Sequence, residues 1–268
     1  MALIHIGFFS ECLGMAVSCD VILPQTASRQ IGMAAGERGD RHPTLWLLHG
    51  ASDDHTIWQR RTSIERYAAP LGLAVVMPAV QLSSYANMAH GGRFYDYVAK
   101  ELPEKMRCFF PLSDRREDNF IAGLSMGGAG CMKIGLANPG NYAAIGCLSA
   151  GASNRRASAE QTEDGKRRAA MVYGDRDLSG TEEDPFGNAR KIIEEGLPVP
   201  RIYHSTGASD FLLENAHATR DFFQSIPDNP FDYTYEEDPG AHTWEYWDEH
   251  IQHFLRFIGL KPVGEVRN

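Results

Sequence analysis

The stretch Gly123-Leu124-Ser125-Met126-Gly127 decides the fold of this chain. It follows the apolar run Phe120-Ile121-Ala122 and precedes a helix expected from Met126 to about Ala137. A serine between a buried strand and a helix lies on a sharp turn, whose strained backbone exposes the hydroxyl. The two glycines are needed because side chains there would collide with neighbouring backbone. The stretch therefore predicts a serine nucleophile at the carboxyl end of a strand.

Around this turn, short apolar runs alternate with segments of helical periodicity. The runs predict strands over residues 45–48, 73–77, 118–122 and 143–148, and the patterns of residues 201–204 and 231–235 predict two more. A β-hairpin is predicted ahead of them from Ala2–Phe9 and Met15–Leu23. Helices are predicted over residues 95–110, 126–137, 211–223 and 244–258, and Pro103 should kink or break the first of these. This alternation predicts an α/β fold, in which helices cover both faces of a mostly parallel central sheet.

Residues 151–190 differ from the rest of the chain because their first half is polar and charged, with few apolar anchors. We expect a small insertion over the core, near the site, within a single domain that spans residues 1–268. Two interpretations stay open for it, a mobile lid and a solvated loop without a role in catalysis.

Composition excludes several classes of partner. The net charge of −9 argues against nucleic acid, which requires a basic face, and against anionic membranes. No apolar run approaches the length of a membrane span, and no basic residue precedes the apolar start that Glu11 interrupts. The five cysteines are irregularly spaced and form no C-x-x-C motif, so reduced thiols and a cytoplasmic location are expected.

A serine nucleophile requires a base, usually histidine, and a carboxylate that orients the base. In this fold class the chain order is serine, acid, histidine. That order disfavours the five histidines ahead of Ser125, which are His5, His42, His49, His55 and His90. Of the remaining five, His204 lies in a predicted strand, and three lie on predicted helices, namely His217, His250 and His253. His242 follows Pro239-Gly240 in a loop ahead of the last helix, and is the predicted base.

The acid is less clear from pattern alone. Asp210 follows a predicted strand, directly precedes the helical segment at Phe211, and is preferred because its strand comes just before the histidine strand. Asp175 and Asp177 remain alternatives, because Met171-Val172-Tyr173-Gly174 also resembles the end of a strand. A helix cap or turn is the ordinary role of any single aspartate.

An oxyanion hole needs two backbone N–H donors. Met126, next after the nucleophile, should supply one, and the turn after strand 45–48 should supply the other from Ala51, with Gly50 as the alternative. His49 is expected to be structural and to hold this turn by a hydrogen bond. This chemistry requires no metal and no organic cofactor.

Several motifs together resemble the esterase D family, and within it the bacterial tributyrin-esterase branch. They are His49-Gly50-Ala51, Tyr95-Asp96-Tyr97 with Glu101-Leu102-Pro103, Gly123–Gly128, Asp210-Phe211-Leu212, and His242-Thr243-Trp244 with Tyr246-Trp247. The resemblance covers nearly the whole chain. It implies an α/β-hydrolase fold and a serine carboxylesterase acting on short acyl esters.

The resemblance also implies specific roles. Ser125 would be the nucleophile, Asp210 the acid and His242 the base, while Ala51 would be the second oxyanion donor. It further implies a small-molecule ester as the substrate and a homo-oligomer as the assembly. The sequence departs from the family at Asp53-Asp54-His55, where small or neutral residues are common, and over residues 151–190.

Three other functions stay open. One is a thioesterase of the S-formylglutathione hydrolase type, and another is an esterase that removes acetyl or feruloyl groups from carbohydrates. Phe94, Tyr95 and Trp244 could stack on sugar or feruloyl rings, although aromatic residues mostly pack in cores. The third is a non-catalytic binding protein of the same fold, which the presence of serine, acid, histidine and glycines disfavours.

Overall fold

The computed structural model describes residues 1–27, 29, 31, 32, 34, 36–152 and 162–263. The strands in this part of the chain are β1 (Ala2–Ser10), β2 (Met15–Leu23), β3 (Thr44–Leu48), β4 (Ala74–Pro78), β5 (Asn119–Leu124), β6 (Ala144–Leu148), β7 (Arg201–Gly207) and β8 (Tyr233–Asp238). They form one sheet in the order β1-β2-β4-β3-β5-β6-β7-β8.

The sheet is antiparallel at one edge and parallel elsewhere. β1 and β2 form the predicted hairpin, and β2 runs antiparallel to β4. From β4 through β3, β5, β6 and β7 to β8, every neighbouring pair is parallel. The carboxyl ends of these parallel strands therefore meet at one edge of the sheet, where Ser125 follows β5. This topology confirms the predicted mostly parallel α/β-hydrolase sheet.

Helices cover both faces of the sheet. They are α1 (Ile57–Arg61), α2 (Ile64–Ala68), α3 (Phe94–Asp96), α4 (Leu102–Phe109), α5 (Met126–Ala137), α6 (Glu163–Tyr173), α7 (Pro185–Glu194), α8 (Leu213–Gln224) and α9 (Trp244–Phe257). Successive residues of a strand point to opposite faces. In β3, Trp46 and Leu48 join a core with α4, α5 and α7, whereas Leu45 and Leu47 join a core with α1, α2 and α9. No helix of the described residues is long and apolar enough to cross a membrane.

The helix predicted over residues 95–110 continues across Pro103 with a local change of geometry. Residues Tyr97–Glu101, between α3 and α4, form a π-helical turn. Pro103 lies in the first turn of α4 and has no N–H to donate to the preceding turn. The helix therefore continues through the proline, and the turn ahead of it is widened to a π-helical one.

Residues 151–190 include one helix and the start of a second. Asp184 accepts a hydrogen bond from the N–H of Gly187 and so caps α7, whose buried Ala189 and Ile192 belong to the main core beside α5. Helix α6 is capped in the same way by Thr162, and it includes Met171–Tyr173, which sequence reasoning had considered the end of a strand. Residues 153–161 of the predicted insertion lie outside the described residues.

Candidate active site

Ser125 lies on a strained turn between β5 and α5. Its backbone has φ of 51° and ψ of −116°, in a region that residues with a side chain rarely adopt. The Ser125 N–H donates a 2.9 Å hydrogen bond to the carbonyl of Leu148 on the neighbouring strand. This bond holds the turn against β6, so the strained geometry is fixed by the sheet.

Two glycines make the turn sterically feasible. A Cβ atom on Gly127 would lie 2.5 Å from the carbonyl oxygen of Leu48, and one on Gly123 would lie 2.6 Å from the carbonyl carbon of Gly127. Real Cβ atoms essentially never approach backbone atoms so closely. The sequence requirement for glycine on both sides of the serine thus has a direct steric cause.

His242 reaches Ser125 from the loop between β8 and α9. Its Nε2 lies 2.9 Å from the Ser125 hydroxyl oxygen, which is hydrogen-bond distance. Its Nδ1 lies 3.0 and 2.9 Å from the two carboxylate oxygens of Asp210. The three residues that sequence reasoning selected therefore form one continuous chain of hydrogen bonds.

Asp210 is held in place from the turn after β7. Its backbone N–H donates to the carbonyl of Gly207, and its Oδ1 accepts a 2.8 Å hydrogen bond from the N–H of Leu212. Burial favours the neutral acid, but hydrogen bonds from His242 and the Leu212 N–H outweigh it and lower the pKa of Asp210. The carboxylate is thus ionised at neutral pH, and it favours the tautomer of His242 that carries its proton on Nδ1.

Two aromatic residues flank the His242 imidazole. The Trp247 ring meets it edge-on with centroids 4.9 Å apart, and the Phe211 ring lies 4.4 Å away on centroids. The imidazole thus packs against two aromatic rings. Both residues belong to the motifs that carry the family resemblance, but the sequence did not indicate that they contact His242.

The turn after β3 is held in place by His49. The Gly50 carbonyl lies 2.7 Å from Nδ1 of His49, whose Nε2 accepts a 3.0 Å hydrogen bond from the Val80 N–H. Nδ1 therefore carries the proton and donates it to Gly50, as expected for a structural His49. The carbonyl of Gly50 and the N–H of Ala51 belong to one trans peptide and point in opposite directions. The Ala51 N–H is thus directed away from His49.

Ala51 and Met126 both border the space in front of Ser125. Met126 is the first residue of α5, so its N–H has no acceptor within the helix and lies at the positive end of the helix dipole. The two predicted oxyanion donors therefore both lie beside the serine, and the choice of Ala51 over Gly50 as the second donor stays a prediction.

The alternative acids and bases lie elsewhere. Asp175 follows helix α6 and not a strand, and Asp177 is an exposed residue that caps its own turn by accepting from the Ser179 N–H. His204 is buried in β7 between the Ala150 carbonyl and the Tyr233 hydroxyl. The other histidines after Ser125 pair with carboxylates, His217 with Glu237 and His253 with Glu236, while His250 contacts Tyr203.

Two cavities open on either side of Ser125. One has a volume of about 370 Å³ and a largely apolar wall, to which Met126, Ala169, Val172 and Leu212 contribute. The other has a volume of about 900 Å³ and a charged wall that includes Asp53, Arg60, Arg61, Glu245 and Asp248. Helix α6 thus lies over the smaller cavity.

The residues that sequence reasoning considered for ring stacking are divided between core and cavity. Phe94 and Tyr95 are 5% exposed and belong to the main core. Trp244 lines the larger cavity and packs edge-on against Trp58 and Trp247. Asp53 lies beside the Gly50 turn, and its pKa is raised by burial, whereas Asp54 faces Thr56 and caps its own turn.

A model of an esterase family, described as "Putative esterase", matches residues 10–258. The chain belongs to this esterase family. The resemblance to esterase D-like enzymes is thereby confirmed, and the tributyrin-esterase branch stays a prediction.

Among curated relatives, the acetyl esterase of Caldicellulosiruptor saccharolyticus is 30% identical over 268 aligned residues, with 96% of this chain and 98% of that protein covered. The S-formylglutathione hydrolase of Paracoccus denitrificans is 26% identical and covers 76% of this chain and 74% of its own length.

Two solved structures agree with this assignment. The fluorophosphonate-binding serine hydrolase F of Staphylococcus aureus superposes with a TM-score of 0.82 at 35% identity, covering 96% of this chain and 98% of its own. The S-formylglutathione hydrolase of the same organism has a TM-score of 0.81 at 36% identity and the same coverage. This esterase-family chain is therefore a serine hydrolase that acts on carboxylic esters.

Proposed function

We propose that this enzyme hydrolyses short-chain acyl esters, with Ser125 as nucleophile, His242 as general base and Asp210 as the residue that orients it. The observation that carries the proposal is the unbroken hydrogen-bond chain from the Ser125 hydroxyl to the Asp210 carboxylate. The apolar cavity beside Ser125, about 370 Å³ in volume, suits a small acyl group.

The reaction follows from this arrangement. Ser125 attacks the ester carbonyl while Nε2 of His242 takes its proton, and Asp210 stabilises the resulting imidazolium. The N–H groups of Ala51 and Met126 hold the negative oxygen of the tetrahedral intermediate. His242 then protonates the departing alcohol, and a water molecule hydrolyses the acyl-enzyme by the same steps in reverse order.

The chain-length preference can be measured with p-nitrophenyl esters from acetate to decanoate. We expect kcat/KM to be highest for acetate to butyrate, and to fall for acyl groups that exceed the smaller cavity. Ser125→Ala should lose several orders of magnitude in kcat, whereas the exposed Ser209→Ala should behave as wild type. An equal preference for decanoate would contradict the short-chain assignment, and full activity in Ser125→Ala would exclude the proposed nucleophile.

A thioester substrate is the second candidate, and two arginines in the wall of the larger cavity favour it. Arg60 and Arg61 line this cavity, and the leaving group of S-formylglutathione carries carboxylates that they could bind. If this candidate is correct, Arg60→Ala and Arg61→Ala should raise KM for S-formylglutathione and leave p-nitrophenyl acetate unaffected. Arg66→Ala, an exposed arginine outside this cavity, is the matched control.

We further propose that the enzyme is cytoplasmic and forms a homo-oligomer. All five cysteines are free thiols, which supports a reducing compartment and hence the cytoplasm. The homo-oligomer implied by the resemblance would use exposed apolar residues such as Leu3, Phe9 and Met15 on the β1–β2 hairpin. Sedimentation of the wild type against Phe9→Ser tests that assembly, because a monomeric wild type would contradict it.

A further inference from the structure

Two histidines and a glutamate converge between β8 and α9, outside the catalytic residues. His250 and His253 are three residues apart on α9 and so share one face of the helix. Nδ1 of His253 lies 2.7 Å from Oε2 of Glu236, and Nδ1 of His250 lies 3.5 Å from the same oxygen. Each of the three residues offers one potential ligand atom, and these three atoms lie within 4.8 Å of one another.

A further carboxylate lies beside this cluster. The carboxylate of Asp238 lies 3.7 Å from Nε2 of His250, on the side of the ring opposite Glu236. If an ion occupied Nδ1, the proton would remain on Nε2 and face this carboxylate, which is the usual outer partner of a metal-bound imidazole. The Tyr203 hydroxyl lies 2.6 Å from Oε2 of Glu236 and 2.9 Å from Nδ1 of His250, so an ion would have to displace it from both atoms. The Tyr246 ring stacks on His250 with centroids 3.9 Å apart.

We propose that Glu236, His250 and His253 bind one divalent transition-metal ion of the zinc class. Two imidazole nitrogens and one carboxylate oxygen are a donor set that zinc and cobalt accept in tetrahedral geometry. Ligands of such an ion stand about 3.3 Å apart. The Glu236 oxygen lies 2.7 and 3.5 Å from the two histidine nitrogens, and all three ligand atoms lie within 4.8 Å of one another. Binding would therefore require the partly exposed Glu236 and His253 side chains to rotate around the ion.

The cluster is accessible to an ion from solvent. His250 is buried, whereas the side chains of Glu236 and His253 are 33% and 26% exposed. An ion can therefore enter past the exposed pair and settle against the buried imidazole, and water can complete its coordination. The ordered partners Tyr203 and Tyr246 limit the side-chain freedom lost on binding.

The position of this cluster assigns it a structural role. β8 ends at Asp238 and α9 begins at Trp244, and the intervening loop carries His242. An ion held by Glu236 on β8 and by His250 on α9 would link both ends of that loop. Among the described lining residues, neither cavity at Ser125 includes a member of the cluster. The hydrolytic reaction is therefore still expected to need no metal.

Metal titration of the untagged, EDTA-treated enzyme tests the site without an activity readout. Cobalt should bind one equivalent per chain with visible absorption of a four-coordinate centre, and zinc should displace it. Saturating zinc, at a hundred-fold excess over Kd, should raise Tm by roughly 5 °C. Glu236→Gln and His253→Gln, at the exposed positions, should each weaken cobalt binding at least ten-fold.

Two controls separate this site from others. His217→Gln removes a similar surface pair with Glu237 and should bind cobalt as wild type does. His242→Gln should also retain the full equivalent, because the proposed ion does not contact the catalytic histidine. Binding that is lost in His242→Gln, binding unchanged in Glu236→Gln and His253→Gln, or no absorption change up to millimolar cobalt would each overturn the proposal.

Discussion

Nε2 of His242 lies 2.9 Å from the hydroxyl oxygen of Ser125, although 117 residues separate them along the chain. The sheet creates this proximity because Ser125 follows β5, while His242 follows the edge strand β8, and both strands end at the same edge. Asp210, after β7, lies between them in the strand order and completes the hydrogen-bond chain.

Asp210→Asn should reduce kcat about 10³- to 10⁴-fold with little change in fold. The amide keeps the size of the side chain, but it no longer stabilises the imidazolium and can favour the wrong tautomer of His242. Steady-state kinetics on p-nitrophenyl acetate measures the effect, with circular dichroism to monitor the fold. The alternative acid supplies the control, since Asp177→Asn should keep full activity. The opposite pattern would assign the acid to Asp177.

If Ala51 is an oxyanion donor, two substitutions of this residue should differ in their effect on activity. Ala51→Gly keeps the backbone N–H and should retain activity within a few-fold. Ala51→Pro removes the N–H and should lower kcat by about 10²- to 10³-fold, the usual cost of one lost oxyanion donor. If Ala51→Pro hydrolysed esters at the wild-type rate, the second donor would have to come from another residue.

Gly127→Ala should destabilise the enzyme by about 3 kcal/mol or more, because its methyl group would overlap the carbonyl oxygens of Leu48 and His49. The same overlap would displace Ser125 and abolish activity. Gly140→Ala is the matched control, since a Cβ atom there meets nothing within 4 Å. Urea unfolding compares the two variants, and a Gly127→Ala enzyme as stable as Gly140→Ala would refute the steric account.

Stability should fall in acid because of His204. Burial lowers the pKa of His204 to about 4, against an ordinary value of 6.5. Between these two pKa values, His204 is protonated in the unfolded chain but neutral in the folded enzyme. The free energy of unfolding therefore falls as the pH drops from about 6.5 towards about 4. The full loss is about 3 kcal/mol. Burial also lowers the pKa of His42 and His49, which act in the same direction.

Urea unfolding at pH values from about 4 to about 8 covers this titration. It measures how the free energy of unfolding depends on pH. His204→Gln should show a shallower slope than the wild type, whatever its stability at neutral pH. His217→Gln, which removes a partly exposed histidine paired with Glu237, should keep the wild-type slope more closely. Parallel curves for the wild type and His204→Gln would show that this titration does not contribute.

The meeting of Ser125, Asp210 and His242 could be predicted from the sequence because each residue follows a segment with a strand pattern. The glycines beside Ser125 reflect a steric need that the local sequence also shows. The direction of the Gly50–Ala51 peptide could not be predicted, because a long-range hydrogen bond from Val80 fixes the tautomer of His49. The preference for Ala51 over Gly50 came from the family resemblance.

The misread segments have a different cause. Met171-Val172-Tyr173 is a short apolar run, which periodicity alone cannot assign to strand or helix. The helix that contains this run begins after its cap, Thr162, which lies nine residues before Met171. The start of the helix was therefore too far from the apolar run to be connected with it. The cluster of Glu236, His250 and His253 was also missed, because the pairing of a strand with a helix decides which of their faces meet.

Capture of the acyl-enzyme tests the central claim most directly. The enzyme is mixed with p-nitrophenyl acetate, quenched with acid in the first turnover, and analysed by intact-mass and peptide mass spectrometry. The account predicts one acetyl group per chain, located on Ser125, and none on Ser125→Ala. An acetyl group on another residue, or hydrolysis that continues unchanged in Ser125→Ala, would contradict it.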